Sequence, residues 1–234
     1  MSAWDIQGPA RGTCKSWREV YPELGRQVER ITAPRGRGIA WEGSDIWVYT
    51  ERAANIVELL AANVARYPDR EAYVFHPGGQ RLTWGQVGEQ VQRVAAKLRR
   101  EFGFEKGDRL CLLTLGCPEY VISYLAIVSL GGIAVPVNLG LTAEGLAAQI
   151  NKVGAKGIVV SPDLWQEKLA LVRSQLPSVQ HVFMTDGQAP PQTLSFAELN
   201  REGVEAPVHT AIDEWDLCAI SFTSGTTGVP KGTM

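Results

Sequence analysis

Four short apolar runs, RLCLLT at Arg109, IAVPVN at Ile133, GIVVS at Gly157 and HVFMT at His181, constrain the fold more than any other feature. None alternates polar with apolar, so each reads as a strand buried on both faces. Between them stand helix-length segments: Pro118 to about Leu130, TAEGLAAQINKVGA from Thr142, and DLWQEKLALVRSQL from Asp163. Strand–helix alternation of this kind predicts an α/β fold with a mostly parallel sheet flanked by helices. The preceding stretch fits the scheme. NIVELLAANVAR predicts a helix over 55–66 with Asn55 as N-cap, EAYVFH and RLTW read as strands around the turn PGGQ, and GQVGEQVQRVAAKLRREF is an amphipathic helix with Val87, Val91, Val94, Leu98 and Phe102 on one stripe.

One uncharged segment, Tyr120 to Leu141, is long enough to span a bilayer. Gly131-Gly132 cuts it, and the second half is β-branched, so a buried helix, a glycine stop and a buried strand are expected, with no transmembrane segment. The chain starts without an apolar signal sequence, and a cytoplasmic location is expected. The 234 residues carry a net charge of −2, which favours neither nucleic acid nor an anionic membrane as partner. Cys14, Cys111, Cys117 and Cys218 form no C-x-x-C pair, and His76, His181 and His209 are widely spaced. No metal site is expected from them; buried or half-buried structural thiols are. His76 reads as an exposed turn residue, Cys117 as a structural thiol before a helix, and Asp213, Glu214 and Asp216 as a solvated acidic run rather than a magnesium site.

Residues 1–49 differ from the rest. They hold Trp4, Trp17, Trp41 and Trp47 among balanced arginines and acids, and read as an extension packed by its tryptophans, with one short helix around Ser16 to Ile31. Residues 50–234 form the main domain. Near its end, the strand LCAISF (Leu217 to Phe222) runs into SFTSGTTGVPKG, beginning at Ser221. Hydroxyls on Thr223, Ser224, Thr226 and Thr227, two glycines that let main-chain N–H groups approach closely, and Lys231 make a donor set suited to polyphosphate. It is not the Walker loop, because the lysine follows Pro230 and not the glycine that motif requires.

SFTSGTTGVPKG resembles the phosphate-binding signature of the adenylate-forming superfamily, which includes acyl-CoA synthetases, amino-acid adenylation domains and luciferases. LTWGQV (Leu82 to Val87) resembles the early strand-to-helix motif of that superfamily, and LAIVSLGGIAVPVN (Leu125 to Asn138) its helix–glycine–strand motif, in the same order along the chain. The tryptophan-rich start resembles the extension that precedes the domain in some acyl-CoA synthetases. The resemblance implies the first part of the large N-terminal domain of an acyl-CoA synthetase-like fold, ending within the phosphate-binding loop. It implies ATP, Mg2+ and coenzyme A as cofactor and co-substrates, a small carboxylic acid as substrate, and acyl-adenylate followed by thioester formation, as in fatty acid metabolism. Thr223, Ser224, Gly225, Thr226, Thr227, Gly228 and Lys231 would hold the β- and γ-phosphates. Catalytic residues are expected downstream of Met234, so the 1–234 chain alone is expected to be inactive. Transfer to a carrier-protein thiol or to oxygen, and a non-catalytic binding module, stay open as alternatives.

Overall fold

The computed structural model describes residues 28–32, 45–49, 53–76, 79–203, 209–223 and 231–233. It divides into two compact units, Met1–Ala53 and Ala54–Met234. In the first, β1 (Val28–Thr32) pairs antiparallel with β2 (Asp45–Tyr49), with Arg30 opposite Trp47. The helix expected around Ser16 to Ile31 is therefore a strand from Val28 on. Both runs are rich in β-branched and aromatic residues, which suit a pleated pair better than a helix. Residues 16–27, like Trp4, Trp17 and Trp41, lie outside the described residues.

The second unit opens with α1 (Ile56–Arg66), whose N-cap Asn55 accepts from the amides of Val57 and Glu58 at 3.0 Å each. A small antiparallel sheet follows, β3 (Glu71–Val74) with β4 (Arg81–Thr83), and then α2 (Trp84–Arg100). Thr83 caps α2 reciprocally with Gln86, as a capping box. The predicted stripe faces inward: Val87, Val91, Val94 and Leu98 are buried and Phe102 is half-buried.

The main sheet holds β5 (Arg109–Leu113), β6 (Ile133–Pro136), β7 (Gly157–Val160), β8 (His181–Met184) and the short β9 (Leu194–Ser195). The strand order is β6-β5-β7-β8-β9, and every pair is parallel. Alternate residues feed opposite faces. Leu110, Leu112, Ala134, Val159 and Phe183 join the core beneath α1, α2 and α3 (Pro118–Ser129). Cys111, Leu113, Val135, Ile158, Val160 and Met184 join the core on the other face, with α4 (Ala143–Val153). This two-sided burial is why the strands read as unbroken apolar runs.

The uncharged segment behaves as a core element. After α3, Gly131 takes φ +70, a conformation side chains disfavour, and Gly132 lies where a Cβ would sit 2.6 Å from Ile127 Cδ1. The turn returns the chain to the sheet at Ile133, whose amide donates to Asp108 O at 2.8 Å. No helix among the described residues is long and apolar enough to cross a membrane. At the base of the sheet, Arg109 donates to the carbonyls of Val153 (2.7 Å) and Gly154 (2.7 Å), satisfying the open end of α4. Lys156 bridges Asp108 (2.7 Å) and the Gly103 carbonyl (2.5 Å).

The helix expected from Asp163 is not regular. It runs as α5 (Pro162–Leu164), a π-helical stretch Trp165–Leu169, α6 (Ala170–Val172) and a 3-10 turn Arg173–Gln175. Leu164 and Leu169 are five apart, and a regular α-helix would set them roughly 140° apart around the axis. The wider turn brings both to the same core, with Val172 and Leu176 following. After β9 comes α7 (Phe196–Leu199), with Ser195 as its N-cap accepting from the Ala197 amide at 3.2 Å.

Candidate functional site

The segment LCAISF does not form one continuous strand. Ala219 makes a single parallel bridge to Ala134 of β6: the Ala134 amide donates to Cys218 O at 2.9 Å, and the Ile220 amide to Ala134 O at 3.0 Å. The following residues, β10 (Ser221–Thr223), leave β6 and pair antiparallel with β11 (Lys231–Thr233). Gly232 stands opposite Phe222, and a Cβ there would approach Ile220 Cγ2 to 3.2 Å. Leu217, Ile220 and Phe222 pack against the core on the α4 face, which anchors the hairpin.

Thr223 and Lys231 are cross-strand partners. The seven intervening residues therefore start and end at neighbouring points, about 5 Å apart. Ser224, Gly225, Thr226, Thr227 and Gly228 lie outside the described residues. The bridge to β6 is parallel, so the chain leaves it in the direction of the sheet's carboxyl edge. That is the edge where open parallel sheets bind ligands.

Nucleophilic chemistry is disfavoured at the thiols inside the fold. Burial pushes the Cys111 thiol up to about 12. At Cys117, the N-cap of α3, burial again raises the thiol above its ordinary value, against the opposing pull of a Thr114 hydroxyl 3.6 Å away. Cys218, expected to be at least half-buried, is exposed, because its backbone rather than its side chain serves the sheet edge. Cys14 lies outside the described residues. His76 sits exposed in its turn. Among the described residues no group of three His, Cys, Asp or Glu could hold a metal ion.

The acidic run corrects an expectation. Asp213 and Glu214 are exposed, but Asp216 is paired with Lys106 at 2.5 Å and accepts the Asp213 amide at 2.7 Å. The distance along the chain hid this partner, more than a hundred residues upstream. A cavity of about 1000 Å3 lies elsewhere, between α1 and α2, walled by Val57, Leu60, Val64 and Val91 with Glu89 and Arg93. Among the described residues, its lining includes none of β10 or β11.

The fold is an open parallel α/β domain, and β10 with its partner β11 follows the bridge to β6 in the direction of the sheet's carboxyl edge. The family model for the AMP-binding enzyme matches residues 60–234, and the chain belongs to that family. It is 33% identical over 199 residues to a mitochondrial medium-chain acyl-CoA ligase of Rattus norvegicus, covering 75% of this chain and 32% of the relative. It is 29% identical over 219 residues to a long-chain-fatty-acid–CoA ligase of Haemophilus influenzae, covering 82% of this chain and 38% of that protein. Among solved structures it is similar to an anthranilate CoA ligase in complex with anthranoyl-AMP, at 29% identity and a TM-score of 0.70, over 76% of this chain and 34% of that one. The chain thus spans about a third of the length of the relatives it matches.

Proposed function

We propose that the chain is the N-terminal portion of an ATP-dependent carboxylate–CoA ligase, and that its loop holds the β- and γ-phosphates of ATP. The observation that carries this is the hairpin neck, with Thr223 opposite Lys231, set beside β6 at the carboxyl edge of the sheet. Thr223, Ser224, Thr226 and Thr227 would donate hydroxyls, Gly225 and Gly228 would let main-chain N–H groups close on phosphate oxygens, and Lys231 would bring positive charge. Their work is positioning and charge stabilisation, not proton transfer. Magnesium would neutralise charge on the polyphosphate itself. The similar proteins are named for medium-chain, long-chain and aromatic acids, so they support the reaction class and leave the acid open. The 1–234 chain is proposed to bind polyphosphate without forming acyl-adenylate.

Calorimetric titration of magnesium tripolyphosphate into the chain tests the reading. Saturable binding that weakens at least about tenfold in Lys231→Ala, the loss of one charge-assisted contact, and is unchanged in Lys152→Ala on the exposed face of α4, supports it. No binding, or equal loss in both variants, overturns it. Carboxylate-dependent exchange of labelled pyrophosphate into ATP by this chain would refute the proposed lack of turnover.

A further inference from the structure

The segment 209–216 carries the chain to the bridge at Ala219, and residues far away in sequence hold it along its length. Arg99 Nη1 donates to Thr210 Oγ1 at 2.9 Å, and Asn55 Nδ2 to Ile212 O at 3.4 Å. Lys106 Nζ does most, donating to Ala211 O at 3.2 Å and pairing with Asp216 Oδ2 at 2.5 Å. One ammonium thus pins both ends of a six-residue path. Within that path the Asp216 amide donates to Asp213 O at 3.0 Å, and Asp216 Oδ2 accepts the Asp213 amide, so the turn is closed in both directions. The base of Lys106 is itself fixed. Its stem packs over Gly131, where a Cβ would meet Cγ at 2.9 Å, and the neighbouring Gly107 amide donates to Gly131 O at 2.9 Å. The lysine therefore reports the position of the turn that launches β6.

We propose that Lys106 is a positioning residue for the phosphate loop: through Asp216 it sets where the strand after Leu217 meets β6, and so where the loop stands at the sheet edge. The proposal rests on the loop reading given above. Two residues separate Asp216 from Ala219, whose bridge to Ala134 docks the strand on β6. A slip of one residue there would turn every following side chain to the opposite face. Lys106 is 47% exposed and Asp216 19%, so the pair adds little to global stability. Its consequence is register.

The two partners separate position from simple charge. If Lys106 only attracted anions through space, Lys106→Met would weaken tripolyphosphate binding and Asp216→Asn would tighten it. If the pair sets position, both weaken it, by about three- to tenfold, and the double variant Lys106→Met with Asp216→Asn loses little more than either single variant. Both single variants also speed amide hydrogen exchange at Ala134 and Ile220, the two amides of the bridge, while the urea midpoint changes little. Unchanged exchange at those amides, or tighter binding by Asp216→Asn, overturns the proposal. Failure of Lys231→Ala to weaken binding would strike the loop reading instead, and the exchange measurement would still decide the position of the strand. Asp216→Asn, nearly isosteric, keeps the test decisive should Lys106→Met fold poorly.

Discussion

Replacing Gly132 with alanine perturbs the junction between α3 and β6 by one methyl group. The new Cβ would lie 2.6 Å from Ile127 Cδ1, 2.8 Å from Ile127 Cγ1 and 3.0 Å from Asp108 O. Carbon pairs settle at about 3.5–4.0 Å, so the shortfall is roughly 1 Å. Neither neighbour yields easily. Ile127 is fully buried, and the Asp108 carbonyl receives the Ile133 amide at the entry to β6. Overpacking of this kind costs about 1–3 kcal/mol, and the rigid backbone contact places Gly132→Ala near about 2 kcal/mol. Urea unfolding followed by circular dichroism reads it as a lower midpoint at constant slope. Ile127→Val alone should cost about 0.5–1.5 kcal/mol by cavity formation. In the Gly132→Ala background it removes the clashing Cδ1, so the two changes should couple favourably by about 1 kcal/mol. A Gly132→Ala protein within about 0.5 kcal/mol of wild type, or strictly additive changes, would refute the argument that close approach dictates glycine there.

Three further outcomes are expected. Thiol labelling of the native chain at pH 8 should modify Cys218 fastest among the described cysteines, Cys117 slowly, and Cys111 only after unfolding; rapid labelling of Cys111 would contradict its burial. His181 lies edge-on to Phe102 at 5.1 Å, and desolvation first, then the Lys156 charge, lowers its pKa despite the opposing Phe102 backbone hydrogen bond. The native state thus binds its proton less readily than the unfolded chain, so stability should hold above about pH 6.5 and fall as the pH drops below it. His181→Phe should flatten that slope, and an unchanged slope in midpoint measurements would exclude the residue as its source. Lys156→Met should lower stability by about 1–3 kcal/mol, through loss of charged hydrogen bonds to Asp108 and Gly103, read as a midpoint shift in urea.

Much of the main sheet was legible because its physics is local. Runs such as Leu110–Leu113 and Ile158–Val160 are apolar without alternation only when both faces are covered, and Asn55 and Thr142 announce helix starts by their own chemistry. The π-helical stretch was not legible, since the five-residue step from Leu164 to Leu169 has meaning only beside a core that receives both. Nor was the break in LCAISF, where a single bridge to β6 at Ala219 gives way to pairing with β11, a partner that lies after the loop. At the site, the donor types and their order were visible in SFTSGTTGVPKG, and so was a strand leading into it. The anchoring of Asp216 by Lys106 was hidden, because ion pairs between segments over a hundred residues apart leave no periodic trace.

Amide hydrogen exchange of the chain with and without magnesium tripolyphosphate tests the central claim most directly. The account predicts slowed exchange confined to peptides covering 218–234, with β5, β7 and β8 unchanged. Protection at the cavity between α1 and α2 instead, or no protection within 218–234 at saturating tripolyphosphate, would contradict it.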